Sequence, residues 1–439
     1  MKVIQVLNHF LPQQTAGTEI YAWSLSKHLQ KMGIDVQVLI PHYGKTMPAD
    51  YMYDGLKVHQ YAEPSLVDRS LILGFRAPDG LKGFISFLKK IKPDIVHFHE
   101  LAGSNGVTVQ HVRAAKIHGA KVIMTFHLAT YSCKAGTLYY KGKVLCDGKI
   151  DSQKCSRCYL HTRGYTTAAP YLTAASVLLK QLSIDASKWN CTTGTALGMI
   201  PIIDKLQQDL NALVSACDRV VALTKWYRSV LLKNGIDKDK ISYIPQALPL
   251  KTNFETTKRK VTNKPLRLVF LGRINPFKGL HLLIDAITGI DPTLVQLSIF
   301  GNADDVAYET NLRFRTREMK NVFWCGKLKQ EEVISTLCQH DMLCICSTFS
   351  EMSPLVIQEA FAAGIPVLAS DVYGNADQIQ HEHNGLLFQF NNIVDLRHQI
   401  HRSINEPELP QKLGNNIQPP RSFEEVGSDY FGLYKSMLN

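Results

Sequence analysis

The sequence predicts an α/β protein built on two doubly wound parallel sheets. Three observations predict it. Short apolar runs alternate with helical periodicity in both halves of the chain, and that alternation implies parallel strands joined by crossover helices. At 439 residues the chain is too long for one ordinary core. A charged stretch poor in large apolar residues, 251–264, separates the halves and reads as a linker.

In order along the first half, Lys2 to Leu7 is the first strand. Glu19 to Lys31 is helical, with Ile20, Trp23, Leu25 and Leu29 on its apolar face and Gly33 ending it. Val36 to Ile40, Ile95 to Phe98, Lys121 to Phe126 and Arg219 to Leu223 supply further strands. A long segment, 129–191, is expected to be irregular, and such a stretch inside a compact domain is usually functional. The second half repeats the alternation: strands Arg267 to Leu271, Leu294 to Phe300, Val322 to Trp324, Met342 to Cys346 and Pro366 to Ala369, with helices from Gly279 and near Pro354 to Ala363. The expected boundaries are 1–250, linker 251–264, 265–420, and a final helix, 421–439. Ligands bind open α/β sheets at the C-terminal ends of their strands, so a cleft between two such domains is the expected site.

The net charge of +11 favours acidic partners such as nucleoside diphosphates or anionic headgroups. Nothing resembles a nucleic-acid module, and no G-x-G-x-x-G occurs, which speaks against a nicotinamide dehydrogenase. No segment reads as a transmembrane helix, and MKVIQVLNHF reads as a buried strand rather than a secretory signal. A cytoplasmic protein is therefore expected, with its ten cysteines reduced. GLKGFISFLKKIK, 80–92, is a basic amphipathic stretch; it suits either an ordinary crossover helix or a peripheral seat on the inner membrane face.

Three features carry chemistry. LGRINPFKG sets Arg273 and Lys278 in a turn after a strand, where both cations can reach phosphate oxygens. SEMSPLVIQEAFAAG places Glu351 and Glu359 eight positions apart around a helix start at Ser353–Pro354. Free N–H groups there attract phosphate, and a carboxylate suits vicinal ribose hydroxyls. QQTAGTEIYAWSL places Gly17 in a strand–helix turn that lets a diphosphate approach the backbone.

With these motifs in place, the chain resembles a retaining, family-4-type glycosyltransferase of the GT-B fold, two Rossmann-like domains facing across a cleft. The E-x7-E element from Glu351 to Glu359 is that family's mark, and Arg273 and Lys278 occupy its basic pair. Gly17-Thr18-Glu19 is similar to its Gly-Gly-x-E loop, with Ala16 in place of the first glycine; KPDIVHFHE and VIMTFH, ending at His127, also match. The resemblance implies that Arg273 and Lys278 neutralise the leaving diphosphate, Glu359 holds the ribose, and Glu351 with Met352, Ser353, Pro354 and Leu355 holds the sugar and distal phosphate. It further implies that His127 lies beside the reacting sugar, that Gly301, Lys327 and Leu328 border the base, and that the last helix returns to the first domain. The implied donor is a UDP- or GDP-sugar and the acceptor a glycan or lipid-linked glycan, in cell-surface polysaccharide or glycoconjugate synthesis. Catalysis then needs no metal, because fixed cations and a helix N-terminus stabilise the leaving group. The D-x-D string at Asp237 and Asp239 reads as a solvated loop. The alternatives are a sugar-nucleotide epimerase of the same fold and a silent sugar-nucleotide-binding protein.

Cys133, Cys146, Cys155 and Cys158 cluster in YSCKAGTLYYKGKVLCDGKIDSQKCSRCYL. C-x2-C is a usual half of a zinc site, and the expectation here is one structural zinc; free thiols or one transient disulfide are the alternative. His97 and His99 read as strand-end residues rather than metal ligands.

Overall fold

The computed structural model describes residues 1–64, 68–74, 76–102, 105–248 and 265–439. The expected linker, 251–264, lies outside the described residues. The chain divides into two compact units, Met1–Pro245 with Phe423–Asn439, and Gln246–Ser422.

The first unit holds an eight-stranded sheet. Its strands are β1 (Lys2–Val6), β2 (Asp35–Tyr43), β3 (Ala49–Tyr53), β4 (Leu56–Glu63), β5 (Ile95–Phe98) and β6 (Lys121–Phe126), followed after a separate hairpin by β9 (Arg219–Ala222) and β10 (Ile241–Tyr243). The order is β10-β9-β6-β5-β1-β2-β4-β3. All pairings are parallel except β3 with β4, the antiparallel edge. The order reverses between β1 and β5, which makes a switch point there. The hairpin consists of β7 (Tyr139–Tyr140) and β8 (Val144–Leu145).

Helix Gly17–Lys31 follows β1. Tyr21, Ala22, Leu25 and Leu29 are buried, whereas Ile20 and Trp23 are half-buried against the cluster of Leu7, Phe10, Val38 and Ile40. The apolar face is thus turned toward Tyr21, which the spacing of Ile20 and Trp23 does not reveal. Helix Leu81–Ile91 buries Phe84 and Leu88, and Lys92 closes it in the left-handed conformation. The final helix, Phe423–Leu438, belongs to the first unit, where the Tyr21 and Tyr430 hydroxyls meet at 3.0 Å.

The expectation of an irregular 129–191 is corrected. Helices Ser152–Thr162 and Ala169–Gln181 occupy much of it and pack with helix Met199–Ala216 around Leu160, Ala169, Met199 and Ile203. Asp151 caps the first of these, accepting the Lys154 N–H at 2.6 Å. Burying one such leucine contributes about 1.5–3 kcal/mol, enough to order a short helix whose own charge pattern is featureless.

The second unit is a six-stranded sheet, all parallel: β11 (Leu266–Leu271), β12 (Val295–Phe300), β13 (Val322–Gly326), β14 (Met342–Ile345), β15 (Val367–Ser370) and β16 (Gly385–Phe388). Its order, β13-β12-β11-β14-β15-β16, has a switch point between β11 and β14. One face packs Leu268, Phe270, Leu283 and Leu297; the other packs Val269, Leu343, Ile357 and Val367. Strands buried on both faces explain why these segments read as continuous apolar runs.

Candidate functional site

In the second unit, the residues singled out by sequence fall at the C-terminal ends of the strands. Gly272 and Arg273 follow β11, Gly301 follows β12, and Glu351 follows β14. Arg273 and Glu351 therefore flank the switch point. A short turn, Pro276–Lys278, brings Lys278 back over it. Lys278 Nζ lies 2.6 Å from Glu351 Oε1, which also accepts from Ser347 Oγ at 2.7 Å. The Glu351 side chain is 9% exposed, so this pairing satisfies a nearly buried carboxylate. Lys278 Nζ also lies 5.4 Å from the centre of the Phe349 ring. Arg273 is far more open, with its side chain 65% exposed and an ion pair to Asp304 at 3.3 Å. Asn275 donates to the same Asp304 oxygen at 3.1 Å.

Helix Leu355–Ala362 starts one residue later than expected. Pro354 is its N-cap, in extended conformation, rather than its first helical residue. Cap assignments shift by a residue readily, and the consequence is that Leu355 and Val356 present the leading N–H groups. Ile357 N–H is returned to Pro354 O at 3.2 Å. Glu359 lies on the second turn and is buried. Its Oε1 accepts from Gln330 Nε2 at 2.7 Å. Burial raises its pKa, and the Gln330 hydrogen bond works against that rise. Lys327 and Leu328 follow β13, next to the 3-10 turn Gln330–Glu332.

Glycines let the backbone crowd here. Gly279 sits at φ +68°, and an added Cβ would stand 1.8 Å from Cys346 O. At Gly301, φ +152°, a Cβ would meet Gly272 O at the same distance. Gly374 approaches Glu351 O so closely that a Cβ would stand 2.0 Å away. Asp304, Ser347, Gln330 and Gly374 were not found from sequence. Asp304 follows Gly301 in GNADD and Ser347 precedes Glu351 by four positions in the loop after β14, but neither carries a motif of its own.

The first unit has its own strand-end group. Gly17 opens the helix after β1, and Glu19, 1% exposed, accepts the Ala16 N–H at 3.1 Å and Gln14 Nε2 at 2.7 Å. Burial pushes the Glu19 carboxyl up to about 7. Glu100, after β5, accepts the Asn8 N–H at 3.1 Å and is likewise raised by burial. His127, directly after β6, has its Nε2 3.1 Å from His99 Nδ1, and His99 Nε2 is 2.7 Å from Gln5 Oε1. A carbonyl oxygen only accepts, so His99 donates through Nε2 and its Nδ1 is bare. His127 must then donate through Nε2, which leaves its Nδ1 as a lone pair. Burial lowers His99 well below the usual range and brings His127 down to about 3, so both rings are neutral. Tyr21 supports His127 edge-on, with ring centroids 4.8 Å apart. His97 is also buried, between Tyr434 Oη and Thr125 Oγ1, each at 2.7 Å. The histidines are thus a polar network, as strand-end residues.

Elsewhere, Asp237 accepts the Asp239 N–H at 2.9 Å in a short exposed turn, the D-x-D loop expected. No helix among the described residues is long and apolar enough to cross a membrane.

Two families match this chain: "Glycosyltransferase Family 4" over residues 15–149 and "Glycosyl transferases group 1" over 252–418. A protein of Klebsiella pneumoniae described as an uncharacterized 41.2 kDa protein in the cps region is 26% identical over 51% of this chain and 63% of its own length. The phosphatidyl-myo-inositol mannosyltransferase of Mycobacterium leprae is 29% identical over 33% of this chain and 36% of its own. The chain spans less than two thirds of the length of the curated relatives it matches. Among solved structures, Anabaena Alr3699/HepE in complex with UDP superposes with a TM-score of 0.63, covering 99% of this chain and 100% of that one at 14% identity, a likeness of fold.

Proposed function

The chain belongs to the family-4-type glycosyltransferases of the GT-B fold, and from that premise we propose that it is a retaining glycosyltransferase using a nucleoside-diphosphate sugar. The observation that carries this reading is the group at the β11/β14 switch point: Lys278 on Glu351, Arg273 open beside it, and the leading N–H groups of helix Leu355–Ala362 close in sequence. Glycosyl transfer builds oxocarbenium character on the sugar and negative charge on the departing diphosphate. Arg273 and Lys278 oppose that charge from fixed positions, the helix start adds its dipole, and no metal is needed for the step. Glu359 accepts from the ribose hydroxyls, sharing its carboxylate with Gln330. Glu351, with Met352, Ser353, Pro354 and Leu355, holds the sugar and distal phosphate, while Gly301, Lys327 and Leu328 border the base. In the first unit, Gly17 admits the diphosphate, and His127 offers its bare Nδ1 to a sugar hydroxyl.

A UDP- or GDP-sugar fits this reading, and the Alr3699/HepE structures hold UDP and UDP-glucose. A glycan or lipid-linked acceptor fits too: the K. pneumoniae relative is described as a protein in a cps region, and the M. leprae relative is named a phosphatidyl-myo-inositol mannosyltransferase. We place the reaction in the cytoplasm, against the inner membrane face when the acceptor is a lipid, and within polysaccharide or glycoconjugate synthesis. The test is a screen of UDP- and GDP-sugars for thermal protection and hydrolysis, since a ligand binding only the native state raises its melting temperature. One nucleotide series should protect wild type and not Glu359→Ala, with turnover unchanged by added magnesium or manganese. Absence of protection by every nucleotide, or turnover that requires a divalent ion, contradicts the proposal.

A further inference from the structure

Outside the strand-end groups, the most concentrated chemistry is the sulfur cluster of the first unit. Cys133 precedes the β7–β8 hairpin, Cys146 directly follows it, and Cys155 and Cys158 lie three apart on helix Ser152–Thr162, hence on one face. All four are half-buried free thiols that line a single cavity of about 20 Å³, room for one small ion or water.

The hairpin is what brings them together. Lys141 and Gly142 both take positive φ, 55° and 69°, which reverses the chain tightly enough to return Cys146 toward the helix. Cys146 N–H bonds back to Leu138 O at 2.9 Å, fixing that return. From the turn, the Lys141 N–H donates to Cys158 Sγ at 3.1 Å. N–H donors aimed at sulfur favour thiolate over thiol, because a thiolate is the stronger acceptor. Lys134, Lys149 and Lys154 line the same cavity. Three cations there suit a group that carries net negative charge.

We propose that these four cysteines bind one zinc ion as a closed structural site that orders the hairpin against helix Ser152–Thr162. Four thiols lose their protons to solvent, four Zn–S bonds form, and the resulting tetrathiolate carries two negative charges beside the three lysines. Among the described residues, no group of three or more His, Cys, Asp or Glu side chains is arranged to hold a metal, so binding has to draw the four thiols inward around the cavity they share, on a hairpin and helix already in place. With no open coordination position the ion takes no part in sugar transfer, so this proposal stands or falls apart from the reading of the donor site.

The test uses the full chain, purified without chelator or added metal. The expected result is about one zinc per chain by elemental analysis, restored by zinc alone after stripping, and about none in Cys155→Ser/Cys158→Ser. Cys191→Ser/Cys325→Ser, at exposed cysteines outside the cluster, should keep its zinc. Cobalt substituted into the wild type should give the intense visible bands and sulfur charge-transfer absorption of a tetrahedral thiolate site, a readout that survives any folding failure of the variants. Wild-type protein that binds neither zinc nor cobalt, zinc retained by Cys155→Ser/Cys158→Ser, or a disulfide between any two of the four in the native chain overturns the proposal.

Discussion

At the strand ends of the first sheet, His99 and His127 are neutral imidazoles hydrogen-bonded directly to each other, with Gln5 on the far side of His99 and both pKa values driven down by burial. At those of the second, Lys278 and Glu351 form an ion pair at 2.6 Å, and Arg273 projects with most of its side chain exposed. Both sheets are doubly wound and put their chemistry at the C-terminal ends of their strands, yet one offers lone pairs and the other offers charge. Charge is useful where charge develops during reaction; a neutral, oriented acceptor is useful where a hydroxyl must be held without moving a proton. On the proposed reading, the charged group of the second unit is the one suited to a leaving diphosphate, and the neutral group of the first is suited to a hydroxyl.

The largest expected effects lie on the charged side. Lys278→Ala should lower kcat by about 10²–10³-fold, the usual cost of losing one fixed stabilising donor. It should also lower the melting temperature, since it strips a nearly buried Glu351 of its partner. Arg273→Ala should lower kcat comparably with the melting temperature unchanged, because that side chain is exposed. Equal kinetics in wild type and both variants would erase the contrast between the units. Glu359→Ala comes next: the donor KM rises about tenfold with kcat nearly kept, as expected for contacts already made in the ground state. His127→Ala should cost about tenfold in kcat/KM, the worth of one good hydrogen bond, and His99→Ala should reproduce part of that loss by freeing the His127 tautomer.

The smallest effects concern pH. His127 has a folded pKa near 3 against an ordinary 6.5, so the unfolded chain binds the proton first. Its contribution is present above about pH 6.5 and is lost as pH falls toward 3. Denaturation by urea should show stability declining over that window, with a shallower slope in His127→Gln. Glu19 runs the other way. Its folded pKa near 7 exceeds the ordinary 4.5, so its contribution is full below 4.5 and is lost as pH rises through 7. Glu19→Gln should therefore gain stability relative to wild type at pH 8 over pH 5; no change in that difference would show that the carboxyl is not held protonated.

Most strands of both sheets were legible because burial on two faces leaves apolar runs, as at Leu266–Leu271 and Lys121–Phe126, whereas β4, with Lys57, His59 and Gln60 inside it, and the short edge strands β10 and β16 were not. The antiparallel β3 was not: ADYMY alternates half-buried and exposed positions at an edge, and little apolar area marks it. The helices of 152–181 were missed because their ordering comes from Leu160, Ala169, Met199 and Ile203 meeting across distant positions, which no local window contains. Within the site, Arg273, Lys278, Glu351 and Glu359 are visible through spacing, whereas Asp304, Ser347 and Gln330 matter only as partners brought in by folding. Partner residues lack a signature because any side chain of the right reach can serve.

The most direct test of the central claim follows the sugar itself. With the nucleotide-sugar that protects the protein, the anomeric configuration of freshly transferred or hydrolysed sugar is read by proton NMR before mutarotation, in wild type and in Arg273→Ala. The account predicts the donor's own configuration in both, with the rate in Arg273→Ala reduced by about 10²-fold. An inverted product, or an unreduced rate in the variant, would contradict it.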